Sequence, residues 1–114
     1  MSYDSRVTDI ERELVTALKT GTVVLGTRKT LKLLKLGKAK AVIIAANAPP
    51  EIKKDVLYYA KLGNTPVYIY PGTSVELGAV CGKPFTVMSL AIVDPGTSRI
   101  VDIVKESSIV EVKG

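Results

Sequence analysis

Thr22-Val23-Val24-Leu25-Gly26-Thr27-Arg28-Lys29-Thr30 reads as a short strand that turns into a helix. Thr22 to Leu25 is a run rich in β-branched residues, suited to a buried strand, and Gly26-Thr27 breaks it. A helical pattern follows from about Arg28 to Leu36, with Leu31 and Leu34 turned inward, Lys32 and Lys35 outward, and Gly37 at its close. Upstream, Asp4 to Thr20 predicts a first helix: Ser5 can cap it, Val7, Ile10, Leu14 and Leu18 recur on one face, and Gly21 ends it. Downstream, Ala41 to Ala46 is a continuous apolar run, hence a second buried strand. Pro49-Pro50 opens a helix with the stripe Ile52, Val56, Tyr59 and Ala60, which Gly63-Asn64 stops. Val67 to Tyr70 is a third strand. Thr73 and Glu76 match the capping box T-x-x-E at the start of a helix reaching about Cys81. Val87 to Val93 is a fourth strand, followed by a Pro95-Gly96 turn and a short helix over Ser98 to Val104. Helices that alternate with short apolar strands predict an α/β fold: a three-layer α/β/α sandwich around a four-stranded mixed sheet.

With 114 residues, 46% of them apolar, the chain suffices for one domain with a real core. Its longest apolar run, Ala41 to Ala46, is far shorter than a membrane span, and Met1-Ser2-Tyr3-Asp4 lacks the basic and apolar segments of a signal peptide. Cys81 is the single cysteine, so no internal disulfide can form and a reducing compartment is the simple expectation. The absence of His removes histidine acid–base chemistry, Ser-His and Cys-His nucleophiles and His-ligated metals. The lack of Gln and the presence of only two Asn, beside many Lys and Glu, hint at a thermophile.

Charge is distributed very unevenly. Between Leu14 and Pro50 stand seven bases (Lys19, Arg28, Lys29, Lys32, Lys35, Lys38, Lys40) and no acid, whereas all 11 acids lie elsewhere. A concentrated positive field on a compact domain attracts polyanions, nucleic acid first among them. A lysine-rich solvated helix face would ordinarily carry interspersed acids.

Inside this patch Arg28 and Lys29 occupy the first turn of a helix, where its dipole disfavours cations. Cations placed there suit an anionic ligand above the strand end, with Lys32 one turn on. The segment Gly21 to Thr30 superficially matches a phosphate-binding loop, but Thr27 and Arg28 separate the second Gly from Lys29, and the residues between the glycines form a strand. Asn47 follows a buried strand and precedes Ala48-Pro49-Pro50, the kind of strand end where ligands gather. Its amide can donate to and accept from a base edge, or bond its own turn. Phe85, the only Phe, sits in the loop Lys83 to Val87, where an aromatic beside basic surface can stack on an unpaired base or fill the core. Cys81 reads as a packed thiol, and Tyr58, Tyr59, Tyr68 and Tyr70 as packing residues. Asp94 with Asp102, and Glu51 with Asp55, are explained by a turn and a helix start without catalysis.

Five strings, V-L-G-T-R-K-T at Val24 to Thr30, N-A-P-P at Asn47 to Pro50, D-V-L-Y-Y-A at Asp55 to Ala60, G-T-S-V-E-L-G at Gly72 to Gly78 and V-D-P-G-T-S at Val93 to Ser98, occur in collinear order. With them the stretch from about Asp9 to Val104 resembles the archaeal and eukaryotic family of large-subunit ribosomal proteins numbered thirty-e, within the kink-turn RNA-binding superfamily. The resemblance implies an α/β/α sandwich that binds a kinked internal loop with tandem sheared G·A pairs. It implies a structural constituent of the cytoplasmic ribosome, with no catalysis and no cofactor. Carried onto this chain, Gly26 would allow close approach of the RNA backbone, with Thr27 beside it in the binding set. Lys29 would contact guanine acceptors, Arg28 and Lys32 the phosphates, and Asn47 a base edge. Lys53 would join the binding set, and Phe85 and Val87 would pack against an unstacked nucleotide. Neighbouring ribosomal proteins are the other implied partners; no membrane is, and the free protein is expected to be a monomer. Core subunits of RNA-modifying or RNA-processing particles in the wider superfamily carry Asn-Glu where this chain has Arg28-Lys29, which disfavours that alternative. A small α/β enzyme acting on a phosphorylated ligand is disfavoured by the missing His and the failed phosphate loop. The expected organisation is one RNA-binding domain over residues 1–104 and a tail over 105–114. Glu106 to Gly114 is polar apart from Ile109, Val110 and Val112, and is read as fraying more readily than as an edge strand.

Overall fold

A computed structural model describes residues 5–110. Its elements are α1 (Ser5–Thr20), β1 (Thr22–Leu25), α2 (Thr27–Lys35), β2 (Ala41–Ala45), α3 (Pro50–Leu62), β3 (Val67–Tyr70), α4 (Ser74–Val80), β4 (Ser89–Asp94) and α5 (Ile100–Glu106). The helix start expected at Asp4 and the side-chain cap assigned to Ser5 lie outside the described residues and side chains.

The sheet order is β1-β4-β2-β3. β4 runs antiparallel to both β1 and β2, and β2 runs parallel to β3, so the sheet is mixed as expected. β2 is buried along its whole length, and its alternate side chains enter two separate cores. Ala41, Ile43 and Ala45 pack with Ile10 and Leu14 of α1, Leu77 of α4 and Ile100 of α5. Val42 and Ile44 pack with Leu34 of α2 and Val56 and Ala60 of α3. A strand with apolar side chains on both faces is stable only with helices above and below, and that is the arrangement found.

Local signals set most element ends. Thr73 accepts from the Glu76 N–H while the Glu76 carboxylate accepts from the Thr73 N–H, the reciprocal capping box that starts α4. Asn64 takes φ +56° just past α3. Three expectations need correction. The fourth strand begins at Ser89 and not Val87, because the Val87 N–H donates to the Ser74 carbonyl of α4 and leaves the ladder. The last helix begins at Ile100 and runs past the domain end expected at 104, because Ser98 and Arg99 are tied to Glu13 of α1. The tail does not fray through Val110. The Val67 N–H donates to Ser108 Oγ (2.8 Å), the Ile109 N–H donates to the Val67 carbonyl (3.0 Å), and Val110 is buried. Residues 111–114, including Val112, lie outside the described part.

Among the packing residues, Tyr70 is buried and its hydroxyl donates to the Glu11 carboxylate (2.6 Å), while Tyr58 is the exception, 59% exposed on the outer face of α3. Burial pushes the Cys81 thiol up to about 11, so it is protonated and inert, in keeping with a packed thiol.

Candidate nucleic-acid interface

Because β4 runs opposite to its two neighbours, its first residues meet the last residues of β1 and β2 on one edge of the sheet. Parallel β3 ends on that edge too. Every loop holding a candidate residue therefore opens there. The Gly26 N–H donates to the Ser89 carbonyl (2.9 Å), and the Ala45 N–H to the Met88 carbonyl (2.8 Å), so the start of β4 is clamped between the two neighbouring strand ends.

Gly26 is the residue before α2 and holds φ +114°, a conformation that L side chains rarely adopt. No side chain caps the helix start. Its free N–H groups and the positive end of its dipole thus remain available to an anion. The Thr27 hydroxyl is bonded to the Ser89 hydroxyl (2.7 Å), which fixes the first turn of α2 to β4. Arg28, Lys29 and Lys32 are exposed. Among the described residues the one ion pair is Arg12–Asp9 on α1, so none of these three cations is neutralised by a neighbouring carboxylate.

Asn47 is exposed, yet its amide is partly engaged. Its Oδ1 accepts from the Ser74 N–H (2.8 Å), and its Nδ2 lies 3.4 Å from Ser74 Oγ. The reading of Asn47 as a turn residue bonding its own backbone is thus replaced by a longer reach: it caps α4 across the edge. Its remaining amide hydrogen is the group left for a ligand. Lys53 folds back along α3, and its Nζ donates to the Ala46 carbonyl (2.8 Å), which holds the Asn47 loop and places a positive charge behind it.

Phe85 is 57% exposed and does not fill the core. It lies on a shallow groove with Val75 and Ala79 of α4, Lys83, Pro84 and Thr86. The loop beneath it is held close to α4: a Cβ added at Gly78 would stand 2.1 Å from the Phe85 carbonyl oxygen. Val87, placed beside Phe85 in the expected contact set, is only 2% exposed and packs into the core under α4. It supports the loop from below and presents no face to a nucleotide.

One edge thus brings together Gly26, Thr27, Arg28, Lys29, Asn47, Lys53 and Phe85, with Lys32 one turn farther along α2. Sequence reasoning missed Ser74 and Ser89, the two buried serines that join the loops. Ser74 receives Asn47 and, through its carbonyl, Val87; Ser89 receives Gly26 and Thr27. The capping box marks Ser74 as a first-turn residue, but nothing local marks its partners Asn47 and Val87 in two other segments.

The family model described as "Ribosomal protein L7Ae/L30e/S12e/Gadd45 family" matches residues 8–102. The chain is 52% identical over 99 residues to the large ribosomal subunit protein eL30 of Methanopyrus kandleri, an overlap of 87% of this chain and 91% of that protein. It is 55% identical over 96 residues to the eL30 protein of Methanothermobacter thermautotrophicus (84% and 98%), and 48% identical over 104 residues to that of Sulfurisphaera tokodaii (91% and 98%).

Proposed function

The chain belongs to the ribosomal protein L7Ae/L30e/S12e/Gadd45 family, and on that premise we propose that it seats a kink-turn of ribosomal RNA on the edge built by Gly26 to Lys29, Asn47, Lys53 and Phe85. It is a structural constituent of the large ribosomal subunit in the cytoplasm, in contact with ribosomal RNA and other ribosomal proteins, and has no enzymatic role. The observation that carries the kink-turn reading is the convergence of three chemistries on one edge: an uncapped helix start with unpaired cations, a fixed amide, and an exposed aromatic. Regular A-form RNA offers side chains no readable deep groove, whereas a kinked internal loop presents splayed bases and crowded phosphates that suit these groups. Lys29 addresses guanine acceptors, Arg28 and Lys32 the phosphates, and Phe85 an unstacked base. Val87 acts only as the floor of the Phe85 loop. In solution the free protein is a monomer, a point that sedimentation checks directly.

The residue assignment is tested by comparing Lys29→Ala with Lys35→Ala, which lies two turns along α2. Lys29→Ala should cost about 1–3 kcal/mol on a G·A kink-turn and reduce discrimination against an RNA whose G·A pairs are disrupted. Lys35→Ala should weaken both RNAs alike and only through the salt-dependent part of the affinity. Identical behaviour of the two variants on both RNAs would remove Lys29 from the specific contacts.

A further inference from the structure

Three of the large apolar side chains left in solvent lie far from the RNA edge, where α2 and α3 end together. Leu36 is 56% exposed, Tyr58 59% and Leu62 69%. Tyr58 and Leu62 lie one turn apart on α3. Between the two helix ends runs a groove of about 300 Å³, lined by Leu34, Lys35 and Gly37 from the first and Tyr59, Leu62 and Gly63 from the second. At about 1.5 Å per residue, the nine residues of α2 set this groove well over 10 Å from Gly26. The RNA edge and the groove therefore occupy opposite ends of one helical layer.

The surround is basic. Lys35 lines the groove and the exposed Lys38 follows Gly37; Lys61 turns away and lines a separate hollow with Leu57, Ile109 and Val110, and α3 carries its acids, Glu51 and Asp55, in its first half. Two features favour protein over nucleic acid as the occupant. Leu36 and Leu62 are aliphatic, and they gain by burial against apolar side chains and not by stacking on bases. The ring of Tyr59 is already engaged, with Lys35 Nζ 4.9 Å from its centroid and Tyr58 packed edge-on at 5.1 Å, so the aromatic that lines the groove offers no open stacking face. In addition, two helices present their carbonyl ends here, which repel phosphate and can accept hydrogen bonds from a peptide.

We propose that this groove is the docking site for a neighbouring protein of the large subunit, through a segment whose apolar side chains enter beside Leu36 and Leu62 and whose carboxylates meet Lys35 and Lys38. The proposal goes beyond the RNA reading and requires only that the chain occupy the large subunit. It is tested with a benzophenone photoprobe in place of Leu62, in large subunits reconstituted with the full chain. Irradiation should join position 62 to a protein segment that combines apolar and acidic residues, and Lys38→Glu should lower the adduct yield about tenfold through the lost charge match. Adducts to RNA alone, to a second copy of this chain, to a protein segment without acids, or no adduct at all would overturn it. The double variant Leu36→Ser, Leu62→Ser separates the two interfaces. It should fold with an unaltered melting temperature and bind the isolated kink-turn as the parent does, yet be retained about tenfold less in washed subunits. Full retention would count against the groove, whereas loss of kink-turn affinity would count against the assignment of RNA to the opposite edge.

Discussion

Gly26 and Gly78 both lack a side chain for a reason that bears on the RNA edge, and the reasons differ. At Gly26 no heavy atom lies within 4 Å of the place a Cβ would take, so the obstacle is φ +114° alone. At Gly78 the obstacle is the Phe85 carbonyl, a backbone atom that yields only if the whole loop shifts. Gly26→Ala should cost about 1–2 kcal/mol through backbone strain. Gly78→Ala should cost about 1–3 kcal/mol through overpacking, and should also displace Phe85. Denaturant unfolding reads both costs. Fluorescence of 2-aminopurine at the unstacked position of a kink-turn should respond to Gly78→Ala much more than to Lys35→Ala. Equal responses would dissociate Phe85 from that nucleotide. At the same scale the exposure of Arg28 and Lys29, unpaired with any carboxylate, was legible from their position in a first helical turn without an acid nearby. The burial of Val87 was not: alternation gives no sign of whether a residue just before a strand faces a core or a ligand.

Among the elements, α5 depends on a neighbour for its start. The Glu13 carboxylate of α1 accepts from the Arg99 N–H (2.8 Å) and the Ser98 hydroxyl (2.9 Å), and so holds Ser98 where its Oγ accepts from the Ile100 N–H (3.0 Å) at the start of α5. The Arg99 N–H bond, followed by that of Ser98, lowers the Glu13 pKa from its ordinary 4.5. A carboxyl lowered in the folded state adds stability that is complete above the unfolded-state pKa and disappears as pH falls through the folded one. Stability should therefore decline below about pH 4.5, and the decline should be shallower in Glu13→Gln, which has no charge there to lose. Thermal unfolding from pH 3 to pH 7 measures this; parallel acid limbs would detach Glu13 from α5. This tether also explains the misplaced start of the last helix. The T-x-x-E box of α4 lies within four consecutive residues and could be read directly, whereas the Glu13 tether comes from a helix 85 residues away in sequence. The tail was misread for the same kind of reason. Its anchor is the open edge of β3 at Val67, which exists only after the sheet has formed.

Over the whole molecule, the layered class followed from the alternation of apolar strands and helices, and β2, apolar throughout, required cover on both faces. The order β1-β4-β2-β3 did not follow, since periodicity says nothing of which strands become neighbours. That order is what brings Gly26, Asn47 and Phe85 to one edge; the sequence could nominate these residues, with Val87 wrongly among the exposed ones, while their assembly, and the two serines that tie the loops together, could not be read from it. Charge divides in the same way. The net +5 was readable, but only the fold shows that the basic stretch divides between two ends of one helical layer, with Arg28 and Lys29 at the uncapped start of α2 and Lys35 and Lys38 around its close.

The most direct measurement is a calorimetric titration of the full chain with a G·A kink-turn and with a straight duplex of matched length and composition, each at a low and a high salt concentration. Electrostatic attraction to phosphate falls with salt for both RNAs, whereas a fitted seat for the kink adds a component that salt does not remove. The kink-turn should bind at least about tenfold more tightly, with the ratio maintained or widened at high salt. Equal affinities that fall together as salt rises would contradict the account, leaving a basic surface without a shaped site.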